Sequence, residues 1–203
     1  MTTIAAPVQT PTIPGTPFAG GFYVGRFQID GQQYALIVSP KTAGTLTGKW
    51  GEFGQDVPGA RSYNDGRANT LAMAEAGSEL AQQALALNIN GLDDWYIPSR
   101  DELELCYRYL KPTAGENYCS FRDGDNASSL PVGYPYTEDT PAQTPAEAFR
   151  DGGAEAFNPR WYWASTQFSP DYAWGQTFDD GYQNVDHKDY QCRARAVRRE
   201  LVL

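Results

Sequence analysis

The sequence predicts an α+β domain with two helices, short antiparallel strands and a long irregular insert. Three observations carry this reading. The last forty residues hold short runs rich in aromatic and β-branched residues, each separated from the next by a polar turn. Two upstream segments repeat apolar residues at intervals of three and four. Between residues 113 and 160, where Gly, Pro, Asp, Ser and Thr dominate, no period persists.

Taken in order, residues 1–20 repeat Pro and Thr without an apolar pattern and read as an extended arm, leaving residues 21–203 as the domain. Such an arm is disordered in a free domain or docked on a neighbour in an assembly. Phe22–Ile29 and Gln33–Val38 flank Asp30-Gly31, a strong hairpin signal, and alternation predicts one buried face. After a Gly-rich loop around Trp50, Asp65–Leu87 reads as one helix, with Met73, Gly77, Leu80, Ala84 and Leu87 on a single stripe. Gly77 costs that helix about 1 kcal/mol relative to Ala, and is expected to admit close packing. Asn88, Asn90 and Gly91 stop it. Trp95-Tyr96-Ile97 reads as a strand that turns into a second helix, where Ser99 and Glu102 form a capping box and Pro112 ends the run. Leu103, Cys106, Tyr107 and Leu110 share one helix face.

The insert at about 113–160 carries Tyr118, Phe121, Tyr134, Tyr136, Phe149 and Phe157, and is expected to cover one side of the sheet. Beyond it, Trp174, Gln176 and Phe178 share a strand face, Asp180-Gly181 turns the chain, and Tyr182–Val185 returns it. Asp186–Tyr190 is too polar for a core strand and reads as an exposed tip. Trp95, Trp163, Trp174 and Phe178 are the expected core aromatics.

Composition narrows the function. The formal charge is −9, and the insert alone holds eight acidic against three basic residues. Without a basic stripe before the final Arg-rich strand, nucleic acid is a poor partner. No apolar run has the length of a membrane span. The N-terminus lacks the basic start and apolar stretch of a secretory signal, so a surface-recognition protein would need another route outside; assembly into a virion released by lysis is one. Thirteen tyrosines, with Gly and Pro together supplying 34 residues, fit a loop-rich binding surface as well as a plain β-rich fold. Cys106, Cys119 and Cys192 have no CxxC or Cys/His spacing, so no zinc site is expected and buried free thiols are the default for Cys106 and Cys192. His187, the one histidine, has no nucleophile beside it. Asp123-Gly124-Asp125-Asn126 offers hard oxygens for calcium but departs from the EF-hand pattern and reads as a turn. Arg193, Arg195, Arg198 and Arg199 read as a salt-bridged strand matched by the acidic insert, rather than as an anion site. No cofactor and no metal are expected.

Three runs carry a resemblance: Trp163-Ala164-Ser165-Thr166, the strand Ala173-Trp174 through Phe178 to Gly181, and the closing Arg195-Ala196-Val197-Arg198. In this order, over about residues 91–200, the chain resembles the bacterial and phage family called DUF1566, or Lcl C-terminal domain. The resemblance implies a C-type-lectin-like fold with a fixed core and a variable surface, and therefore recognition rather than catalysis. Some members of this fold have the C-terminal region diversified by retroelements. The resemblance thus implies a ligand-binding face of Gln167, Ser169, Asp171, Tyr172, Asp179, Tyr182, Asn184, Asp186, His187 and Tyr190. The glycan-binding signatures of calcium-dependent lectins are missing. The expectation is a phage tail or tail-fibre protein of the virion that binds a host cell-surface receptor, protein or glycan. Its arm would join other tail proteins or sister subunits in a homo-oligomer. The rival readings are an enzyme on the same fold, of the formylglycine-generating or glycan-processing kind, and a bacterial surface adhesion domain.

Overall fold

The computed structural model describes residues 9–120 and 122–202; residues 1–8 of the expected arm, Phe121 of the insert and Leu203 lie outside the described residues. β1 (Pro17–Phe18) pairs with the start of β2 (Gly21–Ile29), which returns as β3 (Gln32–Val38). Asp30 and Gly31 both have positive φ, 49° and 80°, the twist a two-residue hairpin needs. A register shift between Tyr23 and Gly25 sends Tyr23 to one side and Val24 and Phe27 to the other. Both faces of β2 are therefore buried, where simple alternation predicts one.

A helical turn α1 (Lys41–Gly44) and β4 (Thr45–Gly48) follow. The expected single helix over Asp65–Leu87 is two, α2 (Gly66–Glu75) and α3 (Glu79–Leu85). Gly77, at φ 95° with open space around it, ends the first, and the Ser78 hydroxyl caps the second by accepting from Ala81 N. Gly77 is thus a chain reversal and not a packing contact. The expected strand at Trp95–Ile97 makes a single bridge, Tyr96 to Val197, before α4 (Arg100–Leu110). After β5 (Ser129–Leu130) come β6 (Trp161–Gln167), β7 (Tyr172–Thr177), β8 (Gln183–His187), β9 (Cys192–Arg195) and β10 (Val197–Leu201).

These strands form two curled sheets, β1-β2-β3-β10 with β5 added to β2, and β4-β9-β6-β7-β8. The expected Arg-rich final strand is broken at Ala196, whose N–H and C=O are held by Gly44 O and Ser39 N at 2.8 and 3.0 Å. β9 therefore belongs to one sheet and β10 to the other. Arg195, Arg198 and Arg199 are ion-paired to Glu155, to Asp94 and Glu200, and to Asp65 at 2.7–2.8 Å. The acidic insert supplies only Glu155 among these partners.

α4 packs on β2, β6 and β7 and is buried on nearly every side. Its capping box is present: Glu102 N donates to Ser99 Oγ, and Ser99 N donates to Glu102 Oε2 at 2.8 Å. The same carboxylate accepts from Gly66 N at 3.0 Å and from Tyr96 OH at 2.6 Å, so it ties the starts of α2 and α4 together. A Cβ on Gly66 would stand 2.3 Å from that carboxylate, which is why glycine opens α2. The polar side of α4 is covered by the insert: Asn126 and Tyr136 donate to Glu104, and Ser128 donates to Asp101. Asp123–Asn126 is a turn, with Asp123 Oδ1 accepting from Gln183 N at 3.1 Å.

The arm is shorter than expected. Gly15 N donates to Tyr23 O at 2.8 Å, Phe18 and Ala19 pack beside Trp95, and Arg198 Nη1 donates to Ala19 O at 3.1 Å. The domain therefore begins near Gly15. Among the described residues, no helix is long and apolar enough to cross a membrane.

Candidate functional site

β7 and β8 form the hairpin at one edge of the second sheet. Their register places Tyr172, Trp174 and Gln176 of β7 opposite His187, Val185 and Gln183 of β8, so these six side chains share one face. The insert covers the lower half of that face. Gln176 Nε2 donates to Tyr136 OH, and Gly124 N donates to Gln183 Oε1. The upper half stays open and is lined by rings.

Phe53 stacks on His187 at 5.2 Å, and Tyr190 stacks on the same imidazole at 5.3 Å. Tyr172 meets His187 edge-on at 4.6 Å. Farther along, Phe168 and Tyr63 lie edge-on to Trp174 at 5.8 and 6.2 Å. Phe53, Tyr63, Phe168 and Tyr190 are each about half exposed, between 45% and 53%. Burial would stabilise each such ring, so four left half exposed in one strip make this the candidate site of the molecule.

Polar side chains beneath the strip hold it in place. Lys188 is fully buried, donates from Nζ to Gln55 O at 2.7 Å and to Gln167 Oε1 at 2.6 Å, and lies 4.6 Å from the Trp50 ring centre. Gln167 in turn accepts from Val57 N at 2.8 Å and donates to Asp56 at 2.6 Å. Trp50 N and Gly51 N donate to Lys188 O, and Trp50 Nε1 reaches Ala164 O at 2.9 Å. The loop that carries Phe53 is thereby fastened to the hairpin that carries His187. Burial pushes the Lys188 ammonium down to about 8, with Asp56 and Asp171 opposing the shift. At the other end, Arg100 lies 5.2 Å from the Trp174 ring centre and 5.5 Å from that of Tyr63, and donates to Asp101, Asp125 O and Gln183. Burial raises Asp101 to about 6 against the pull of Arg100. The Ser165-Thr166 pair of the Trp163 motif finishes the frame. Thr166 Oγ1 accepts from Arg100 N and donates to Ser62 O, next to Tyr63.

The residues expected to form one binding face divide. Asp171, Tyr172, His187 and Tyr190 lie at the open end of the hairpin, with Ser169 in the adjoining loop, where its hydroxyl accepts from Tyr172 N. Gln167 is buried and belongs to the frame, because its amide is consumed by Val57, Asp56 and Lys188. Asp179 and Tyr182 sit at the opposite end of the hairpin, where Tyr182 packs on Tyr118 at 4.5 Å and contacts Asn184. Asn184 and Asp186 point to the reverse face of β8. Trp174, expected in the core, is only half-buried and is part of the strip, whereas Trp95, Trp163 and Phe178 are fully buried. Phe53, Tyr63 and Phe168 carry no motif; each is a lone aromatic in a polar loop. Nothing in their local pattern separates them from core residues.

β8 is an edge strand, yet its outward N–H groups are occupied. Gln183 N donates to Asp123 Oδ1, Val185 N to Asn184 Oδ1 and His187 N to Asp186 Oδ1, at 2.8–3.1 Å. Side chains therefore occupy the N–H groups that another strand would need.

No curated protein matches the chain. The family model of the Lcl C-terminal domain matches residues 49–198, from the loop carrying Phe53 to β10, and takes in α2 and α3 beyond the span of the sequence resemblance. The chain therefore belongs to the Lcl C-terminal domain family.

Proposed function

We propose that this chain is a recognition protein on a C-type-lectin-like fold, a tail or tail-fibre component of a phage virion that binds a receptor on the host cell surface through the aromatic strip. The observation that carries this reading is the half-exposed ring strip fastened by a fully buried lysine. Large rings already locked in position lose little entropy on binding, which is how aromatic anchors concentrate affinity. The segment before Gly15 serves as the attachment to other tail proteins or to sister copies in a homo-oligomer. Cysteine chemistry of the formylglycine-generating kind finds no support. Cys106 is fully buried, with its thiol pushed up by burial, and Cys192, in a different part of the core, is pushed up to about 11. A nucleophilic thiol needs the opposite shift.

The test is capture of the protein by host envelope extract. The double substitution Phe53→Ala/Tyr190→Ala should weaken capture at least tenfold while the melting temperature stays within a few degrees, since both rings are half in solvent. Capture equal to that of the parent would show that the strip is not the recognition face.

A further inference from the structure

The open end of the strip has a charge as well as a shape. Glu52 adjoins Phe53, Asp171 adjoins Tyr172 and faces Gly54, and Asp189 adjoins Tyr190. Glu52 and Asp189 are exposed and Asp171 is half exposed. None of these three carboxylates has a cationic partner within 4.0 Å among the described residues. Asp65, Asp94, Asp101, Glu104 and Glu155 are each ion-paired to an arginine, whereas Glu116, Glu138 and Asp139 of the insert are, like the three rim acids, in no ion pair among the described residues. Of the cations around the strip, Lys49 is exposed and lines the same hollow as Glu52, and two others are committed. Lys188 is buried beneath the rings, and Arg61 is bound to Asp56 at 2.7 Å. Phe53 and Tyr190 thus each follow in sequence an exposed acid with no ion pair among the described residues, and Asp171 adds a third carboxylate beside Gly54.

An aromatic face carries negative potential, and a ring flanked by carboxylates attracts a cation from both sources. A polyanionic glycan would meet repulsion here, and a neutral one would leave the carboxylates without charge partners. Resting on the reading of the strip as a recognition face, we infer that its ligand is a protein segment presenting lysine or arginine side chains. One such cation sits on the outer face of Phe53 or Tyr190 within reach of Glu52, Asp171 and Asp189. The blocked edge of β8 agrees with this mode, because a segment held by its side chains does not need to add a strand.

The test is titration of the full chain with hexalysine, and with neutral cellohexaose and hexaglutamate as comparisons, at low and moderate salt. Hexalysine should bind with an affinity that falls as salt rises, and the other two should not compete. Neutralising the rim with Glu52→Gln/Asp171→Asn/Asp189→Asn should weaken hexalysine binding about tenfold or more. Phe53→Ala/Tyr190→Ala should do the same without any change of charge. The matched control Glu116→Gln/Glu138→Gln/Asp139→Asn, three exposed acids of the insert, should change it less than threefold. Equal weakening by the control, or tighter binding of cellohexaose, overturns the inference. In envelope capture, loss on removing the rings but not on neutralising the rim also overturns it, while the recognition face itself survives. Capture that survives removal of the rings overturns both.

Discussion

Lys188 lies in Asp186–Tyr190, a run polar enough to be taken for solvent-exposed chain, yet its side chain is fully buried. In the unfolded chain a lysine keeps its proton to about pH 10.4. In the fold, burial brings Lys188 to about 8. Between these values the unfolded state binds more protons, so this residue makes the fold more stable as pH rises, by at most about 1.4 kcal/mol per pH unit. Buried thiols act in the opposite sense, since Cys106 and Cys192 hold their protons longer when folded. The measurement is therefore the difference between the parent and Lys188→Met. The parent should gain on the variant as pH goes from 8 to 10, read from denaturant midpoints at each pH. A constant difference would mean that Lys188 is solvated. Gln167 teaches the same lesson from the other side: it reads as a ligand contact in the sequence and is a strut in the fold. Hydropathy patterns register polarity but not the partner that makes a buried polar group tolerable. Trp174 differs from the expectation in degree: it packs against the main core but keeps part of its surface in the strip, whereas Trp163 is fully covered.

Local chemistry was legible wherever a bond closes within a few residues. The Asp30-Gly31 hairpin and the Ser99–Glu102 capping box follow from turn and cap rules alone. The break at Gly77 was not, since a helical stripe continues through it: Met73, Leu80 and Ala84 all reach the same core. The register shift in β2 and the break at Ala196, which is held by Gly44 and Ser39, have no local sign. The edge of β8 makes a testable element. Asn184 and Asp186 occupy two of its outward N–H groups; Asn184 is exposed, and Asp186 is half-buried opposite Ala173. Asn184→Ala/Asp186→Ala should leave the melting temperature nearly unchanged, within about 1 kcal/mol in stability. It should also shift the protein to larger species on size-exclusion light scattering, because an unguarded edge pairs with another copy. Elution identical to that of the parent would show that twist or neighbouring loops, and not these side chains, protect the edge.

At the scale of the molecule, the chain crosses between two sheets more than once, directly from strand to strand at Ala196, with α4 packed between the sheets and the insert wrapped over its polar side. The insert had no readable period because its order comes from long-range polar bonds, such as Asn126 to Glu104 and Glu155 to Arg195, and not from a repeat. The arm is the converse case. Its composition reads as linker throughout, but Gly15–Gly20 is held by backbone bonds to Tyr23 and by the contacts of Phe18 and Ala19 with the Trp95 part of the core. Two truncations separate the parts. Removing residues 1–12 should leave the melting temperature where it is, because this stretch adds no core contact among its described residues; Ile13, which follows it, is 66% exposed. Removing residues 1–20 deletes β1, uncovers the Trp95 side of the core and leaves Arg198 without its bond to Ala19 O. Loss of a half-buried Phe and these bonds should cost about 2–3 kcal/mol, which for a domain of this size is a drop of roughly 4–12 °C. If the shorter truncation abolishes incorporation into particles or oligomers with no change in melting, attachment resides in residues 1–12. If both truncations melt like the parent, the docking of Phe18 does not hold in solution.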